Sequence, residues 1–336
     1  MLTLKTRLWR HVVRKPCCHH STILLSQGCG IFGALGHPTN FEDEKYFRTL
    51  RLSSLSSQTV MESSHSFTKV AAGWGHSAFV SSTGQLYFCG RPFDFLTLMR
   101  LNRFRMLSSR LGTAIAQLSA YFNGAEGVYE VLTLCDGLDG VSNVKCSAGL
   151  TIVSTIDGSL YAFGNNRWGQ CGVNSEKTAH CYEPFRIQLD EQTISFDVGL
   201  QHVLAVGSSG ALYSWGKGNR GQLGAKEMDH LYAPGLVEGI NGVVDVSAGF
   251  SHSAAVTSEG AVFVWGKGMS GTLKATKGVI IAEALISNFN VLTALSSAGG
   301  VRIFEDQATP RELLLPGGRK AVEISSRCVF VGLREP

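Results

Sequence analysis

Three stretches of this chain are versions of one phrase, spaced about fifty residues apart, and a fourth copy precedes them at a longer interval. Ser195–Gly224, Val246–Leu273 and Cys146–Gly172 carry it most fully, and Val70–Gly90 keeps its first half. A period of this length means an array of small supersecondary units, none of which can bury its apolar face alone. Any motif inside the period therefore has to be read first as architecture.

Each copy opens on a short apolar run, such as Val244, Val246 and Ala248, followed by Gly249-x-x-His252. A second apolar run leads to a turn with glycine, at Gly84, Gly158, Gly210, Gly260 and a fifth at Gly299. Glycine supplies the positive φ that tight hairpin turns need, so the two runs read as a β-hairpin. Aromatic and β-branched residues then close on Trp215-Gly216 or Trp265-Gly266, before a tail too rich in glycine to be a helix. Each unit is thus a small antiparallel sheet of about four strands, and a radial set of them is a β-propeller. The expectation is an all-β propeller of six to seven blades. Ala321–Leu333 supplies a further front half and Ser26–Gly36 a back half, as a ring closed from both chain ends requires.

The 336 residues, 44% hydrophobic with 39 glycines, fit one turn-rich β domain of that size. No apolar run reaches the roughly eighteen residues of a membrane span. Five of the 30 basic residues and none of the 26 acidic ones lie in residues 1–40, leaving the rest close to neutral. Drawn as a helix, Leu2, Leu4, Leu8, Trp9, Val12 and Val13 oppose Arg7, Arg10 and Arg14. An acid-free, Arg-containing amphipathic start is the pattern of a mitochondrial presequence, here residues 1–25, with the propeller at 26–336. A basic nuclear or nucleic-acid arm is the other reading, but it needs no apolar face.

Nine cysteines without CxxC pairs do not make a disulfide framework and point to a reducing compartment. Cys17-Cys18-His19-His20 has the look of a metal cluster but falls in the segment expected to be removed. Cys171 stands in the repeat's Leu slot as a packed thiol, and with His180 and Cys181 makes no stronger case for metal. Gly28-x-Gly30-x-x-Gly33 has the spacing of a dinucleotide fingerprint, which needs a helix after its third glycine. Pro38 would end that helix early, and the spacing recurs at Gly216/Gly218/Gly221 and Gly266/Gly268/Gly271. Three copies at the repeat period are architecture, so no cofactor and no metal are expected. His76, His202 and His252 share one repeat position, with Ile152 read in the same slot. A periodic His on separate units is read as a hydrogen-bonding tie between neighbours rather than a ligand. Nothing in the chain has the pattern of a catalytic nucleophile, base or P-loop.

The pattern breaks at an insertion, about residues 91–143. Phe93–Leu111 has helical periodicity and interleaves Arg100, Arg103, Arg105 and Arg110 with apolar residues. A non-repeat basic insertion reads either as a partner-binding element on one face or as a helix packed with its basic side in water.

The Gly73/His76, Gly199/His202 and Gly249/His252 pairs, with Gly149 placed beside them, are followed by x-Gly turns and by Gly90, Gly164, Trp215-Gly216 and Trp265-Gly266. This phrase, ending in Gly-Gln-Leu-Gly, closely resembles the regulator of chromosome condensation repeat over about residues 26–36 and 67–333, the insertion apart. These thirteen residues are read as structural. The resemblance implies a seven-bladed propeller that works through loops on one face. With the presequence, it implies a mitochondrial member of the family, in the matrix or peripheral to the inner membrane. Such a member would be an interaction propeller and a guanine-nucleotide exchange factor for a mitochondrial GTPase. The alternative it implies is an RNA-associated scaffold in mitochondrial ribosomal RNA processing and ribosome assembly. A cofactor-binding enzyme is the third reading, which the recurrence of the glycine fingerprint argues against.

Overall fold

A computed structural model describes residues 67–90, 134–224 and 229–267 in full, Trp74 and Asp136 excepted, and elsewhere only the backbone of strands. Two units divide the chain, Met1–Ile156 and Asp157–Pro336. Strands account for all the regular structure among the described residues.

In the first unit, β1 (Arg10–Arg14), β2 (Ile23–Cys29) and β3 (Asp43–Thr49) form an antiparallel three-stranded sheet. A four-stranded sheet follows, made of β4 (Phe67–Ala72), β5 (His76–Ser81), β6 (Leu86–Gly90) and β7 (Tyr129–Leu134). β8 (Val141–Cys146) and β9 (Leu150–Thr155) then pair as a hairpin. In the second unit, β10 (Leu160–Asn165) pairs with β11 (His180–Ile187). Three four-stranded antiparallel sheets come next. They are β12 (Thr193–Val198), β13 (His202–Gly207), β14 (Leu212–Lys217) and β15 (His230–Leu236); β16 (Val243–Ala248), β17 (His252–Thr257), β18 (Val262–Gly266) and β19 (Lys274–Ala275); and β20 (Ala282–Ser287), β21 (Val291–Ser296), β22 (Val301–Glu305) and β23 (Arg311–Leu313). The hairpin of β24 (Ala321–Ser325) and β25 (Phe330–Leu333) ends the series.

Two expectations are corrected here. Arg10–Arg14, drawn as part of an amphipathic helix, is a strand paired with Ile23–Gln27, and β-branched Val12 and Val13 suit that backbone. Residues 129–143 do not belong to an insertion, because β7 completes its sheet against β6 and β8 starts at Val141. The helical stretch expected within the insertion lies outside the described residues, as do Gly299 and Pro38.

Among the described residues burial peaks at the second strand of a sheet and falls toward the fourth, and this explains the composition of the strands. The second strands β5, β13 and β17 are buried at every residue, being packed from both sides. Small residues such as Ser77, Ala78, Ala205, Ser253 and Ala254 fill them, because a larger side chain would hold the sheets apart. The fourth strands β11 and β15 are mostly half-buried or exposed. Between the second unit's sheets lies a dry core of Leu204, Val206 and Leu212 from one sheet and Val243, Val246, Ala255 and Trp265 from the next. In the first unit the Phe67 ring meets Phe79 and Tyr87 edge-on, with centroids 6.0 and 5.6 Å apart.

The hairpin turn shows why glycine marks the period. Gly210 sits at φ 81°, its N–H donating to the Gly207 carbonyl at 2.9 Å. A Cβ there would also come within 2.9 Å of the Cα of Gly242 in the following sheet. Both the turn and the packing of one sheet on the next exclude a side chain.

Candidate functional site

The repeat residues converge on a buried tie between neighbouring sheets. His202 opens β13 with its ring fully buried, and its Nε2 lies 2.9 Å from the Ser253 hydroxyl on β17. Ser253 donates in turn to the backbone carbonyl of Gln222 at 2.7 Å. The hydroxyl proton is therefore spent on the carbonyl, so His202 donates from Nε2. The same carbonyl accepts the indole N–H of Trp265 at 2.8 Å. One peptide oxygen of the first sheet's tail thus holds two side chains of the second. Trp215 repeats half of this arrangement, donating its indole N–H to the Gln170 carbonyl at 2.8 Å. In the first unit the His76 Nε2 reaches the Thr151 hydroxyl at 2.8 Å.

Glycines make room for these ties. Gly90, Gly216 and Gly266 face His76, His202 and His252 directly across their hairpins. They and Gly164 have φ between 85° and 108°, and the register against the fourth strand shifts at Gly90, Gly164 and Gly216. A Cβ on Gly216 would lie 2.6 Å from the Gln201 carbonyl. At the other end of the turn, a Cβ on Gly73 would meet both the His76 ring and the Ser147 carbonyl; on Gly199 it would meet the His202 ring and the Gly249 carbonyl.

The third copy departs from its expected alignment. The Ser147 N–H donates to the Leu150 carbonyl as Gly73 does to His76 and Gly199 to His202. Leu150 rather than Ile152 therefore takes the His slot, and Ser147 rather than Gly149 takes the glycine place. Gly149 instead sits two residues along at φ 77°. The Ala-Gly pair misleads because it recurs in this copy two positions late.

Sequence reasoning passed over the glutamines. Gln170 and Gln222 are buried, and their side-chain oxygens accept the N–H of Trp168 at 2.7 Å and of Arg220 at 2.8 Å. Each closes its own tail loop while its carbonyl holds the next sheet's tryptophan. The recurrent Gly-Gln-x-Gly was the available signal.

The tails of the second unit display a basic, aromatic surface. Lys217 lies over the Trp168 ring, its Nζ 4.2 Å from the centroid. Its pKa is held below the usual lysine value, first by burial and then by the neighbouring Arg220 charge. Arg220 is exposed and reaches the Ser251 hydroxyl at 3.3 Å; the N–H of exposed Lys267 donates to the Ser251 carbonyl. Exposed Arg167 precedes Trp168 in the same tail. Asp229 borders it, its carbonyl accepting the Gly218 N–H at 2.7 Å. The hairpin-turn end of the same sheet is different in kind. There Glu191 accepts from the Ser209 N–H at 2.7 Å and from the Ser209 and Tyr213 hydroxyls, which hold its carboxyl below the usual range.

Gly216, Gly218 and Gly221 shape a tail loop that runs on toward β15, with no helix after it among the described residues. Among those residues no three His, Cys, Asp or Glu side chains are grouped to hold a metal ion. His180 packs its ring on Tyr182, with centroids 4.5 Å apart. Arg100, Arg103, Arg105 and Arg110 lie outside the described residues.

Family models for the regulator of chromosome condensation repeat match residues 157–206, 209–256 and 243–271. The bovine secretion-regulating guanine nucleotide exchange factor is 31% identical over 45% of this chain and 28% of its own length. The chain thus spans less than a third of that relative. The crystal structure of human WBSCR16 superposes with a TM-score of 0.68 at 18% identity, over 89% of this chain and 78% of that one. Prp20p from Saccharomyces cerevisiae gives 0.65 at 16% identity, over 90% and 75%. The chain carries regulator of chromosome condensation repeats and has their β-propeller fold.

Burial, and secondarily His252, pushes the His202 pKa from 6.5 down to about 3. Between those values the unfolded chain takes up a proton that the folded chain refuses. The stability contribution is therefore complete above about pH 6.5 and is lost as pH falls toward 3. Urea unfolding of His202→Gln should show a shallower loss of stability between pH 7 and 5 than the parent chain. Equal slopes would mean that His202 protonates freely in the fold.

Proposed function

We propose that this regulator of chromosome condensation-repeat propeller is a mitochondrial interaction platform that binds a GTPase and promotes its nucleotide exchange. The observation that carries the reading is the run Arg167, Trp168, Lys217, Arg220 and Lys267, a basic and aromatic strip on the tail loops. Positive charge there steers an acidic protein surface, while Trp168 offers rigid contact area. Exchange needs no covalent chemistry: a surface that binds the nucleotide-free GTPase better than the loaded one lowers nucleotide affinity by the same factor. A relative named as an exchange factor supports this reading. So does Prp20p, described with binding properties to Gsp1p and histones. Arg100, Arg103, Arg105 and Arg110 are further partner contacts in this reading. An RNA scaffold is the competing reading, and ribonuclease separates the two.

Immobilised protein should capture a GTPase from mitochondrial extract without nucleotide, and release it when GTP is added. Capture should survive ribonuclease and weaken with salt. Replacing Arg167, Arg220 and Lys267 with Glu should abolish capture and leave the thermal unfolding midpoint unchanged, since exposed charges contribute little to stability. Capture that vanishes with ribonuclease assigns the strip to RNA, and capture undiminished in the variant removes it from function.

The same proposal places the protein in mitochondria. Met1–Gln27 fused to a fluorescent protein should be imported, and the fusion with Arg7, Arg10 and Arg14 changed to Glu should stay outside. Exclusion of the unaltered fusion would overturn the location while leaving GTPase capture to be judged separately.

A further inference from the structure

One pair of side chains in the second unit is used by neither the inter-sheet ties nor the basic strip. Cys171 follows Gln170 in the tail loop, where the next repeat has buried Leu223. Cys181 faces Gly164 across the β10–β11 ladder, where the next sheet sets Leu231 against Gly216. Cysteine thus occupies both of two places that are leucine one repeat later. The two sites belong to one local cluster. The Cys171 Sγ lies 3.9 Å from the carbonyl of Gly164, the residue opposite Cys181, and 3.8 Å from that of Asn165. Each thiol shifts the other's pKa, as close neighbours do, and both are free.

We infer that Cys171 and Cys181 form an oxidation site that closes reversibly to a disulfide under peroxide. The roles differ. The neighbouring Cys171 thiol holds the Cys181 pKa below the usual thiol value, while Cys181 raises that of Cys171, itself also raised by burial. Cys181, the less completely buried of the two, is the attacking sulfur. Its thiolate electron pair attacks one peroxide oxygen, the O–O bond breaks, and hydroxide leaves to be protonated to water. Cys181 is now a sulfenic acid. The Cys171 sulfur, giving up its proton, then attacks the Cys181 sulfur. The S–O bond breaks, and the departing hydroxide takes that proton as a second water. Two thiols are oxidised to one disulfide and one peroxide is reduced to two waters. A dithiol restores the pair.

The location gives the bond a consequence. It would staple β11 to the loop whose Gln170 carbonyl holds Trp215 and whose Trp168 carries Lys217. Cys89 is a natural control, since burial pushes its thiol strongly upward and leaves it inert.

The test uses the full chain, treated with hydrogen peroxide, alkylated and digested for mass spectrometry. The Cys171 and Cys181 peptides should appear joined, lighter by two hydrogens, with their alkylation falling about tenfold and returning after dithiothreitol. Cys171→Leu, which restores the residue of the neighbouring repeat, should leave Cys181 as a sulfenic acid that dimedone captures. Circular dichroism checks that this variant is folded, and Cys171→Ala replaces it if it is not. Undiminished alkylation of both cysteines after peroxide, bonding of either to another cysteine, or over-oxidation of Cys181 with Cys171 still free would each overturn the inference.

Discussion

A single peptide oxygen, that of Gln222, takes hydrogen bonds from Ser253 and Trp265 of the following sheet. A buried carbonyl left without a partner would cost about 1–3 kcal/mol, so the tails of Gln170 and Gln222 each need the following sheet to satisfy them. The tail itself stays in place because the Gln222 side chain accepts the Arg220 N–H. His202 then ties the second strand of the first sheet to Ser253. Fully buried Trp265 adds apolar area over Leu204 and Leu212, and removing such a ring costs about 3–5 kcal/mol. The polar tie fixes the register of sheet on sheet, and the apolar area supplies most of the driving force.

Much of this is legible in the sequence. The turn glycines Gly84, Gly158, Gly210 and Gly260 all adopt φ near 80°, and the alternation of apolar runs with aromatic-Gly marks the strands. The role of Gln170 and Gln222 was hidden because a glutamine between glycines in a loop looks like solvent-facing polarity. Its buried use depends on a tryptophan some forty residues later. Leu150 escaped notice for another reason: hydrogen bonding, not the spelling Ala-Gly, defines the His slot. β7 was obscured by the sequence distance separating it from β6, since strand pairing carries no mark of chain separation. Arg10–Arg14 has an amphipathic pattern compatible with a helix, but pairing with β2 decides its conformation. The basic strip was out of reach, because its residues come from the tails of successive repeats, and the contact of Lys217 with Trp168 joins positions far apart in the chain.

The architecture separates the two ends of each sheet. Strand register and the inter-sheet ties occupy the buried second and third strands, where nearly every polar group already has a task. The tail loops are anchored beneath by glutamine and tryptophan yet leave Arg167, Arg220 and Lys267 in water. Such loops can change their exposed residues without disturbing the ties, which is how one repeat can serve different partners. The hairpin-turn end, where Glu191 is engaged by Ser209 and Tyr213, is chemically distinct from it. Replacement of the packing leucines by Cys171 and Cys181 shows the same freedom used beneath the surface.

The central claim is that the tryptophan–carbonyl ties open only when the fold does. Hydrogen exchange of the Trp215 and Trp265 indole N–H groups, followed by NMR, measures this directly. Both should exchange with the free energy of global unfolding found for the amides of β13 and β17. Exchange of either indole at a much lower free energy, with those amides still protected, would show that the ties are ornaments on a fold held by other means.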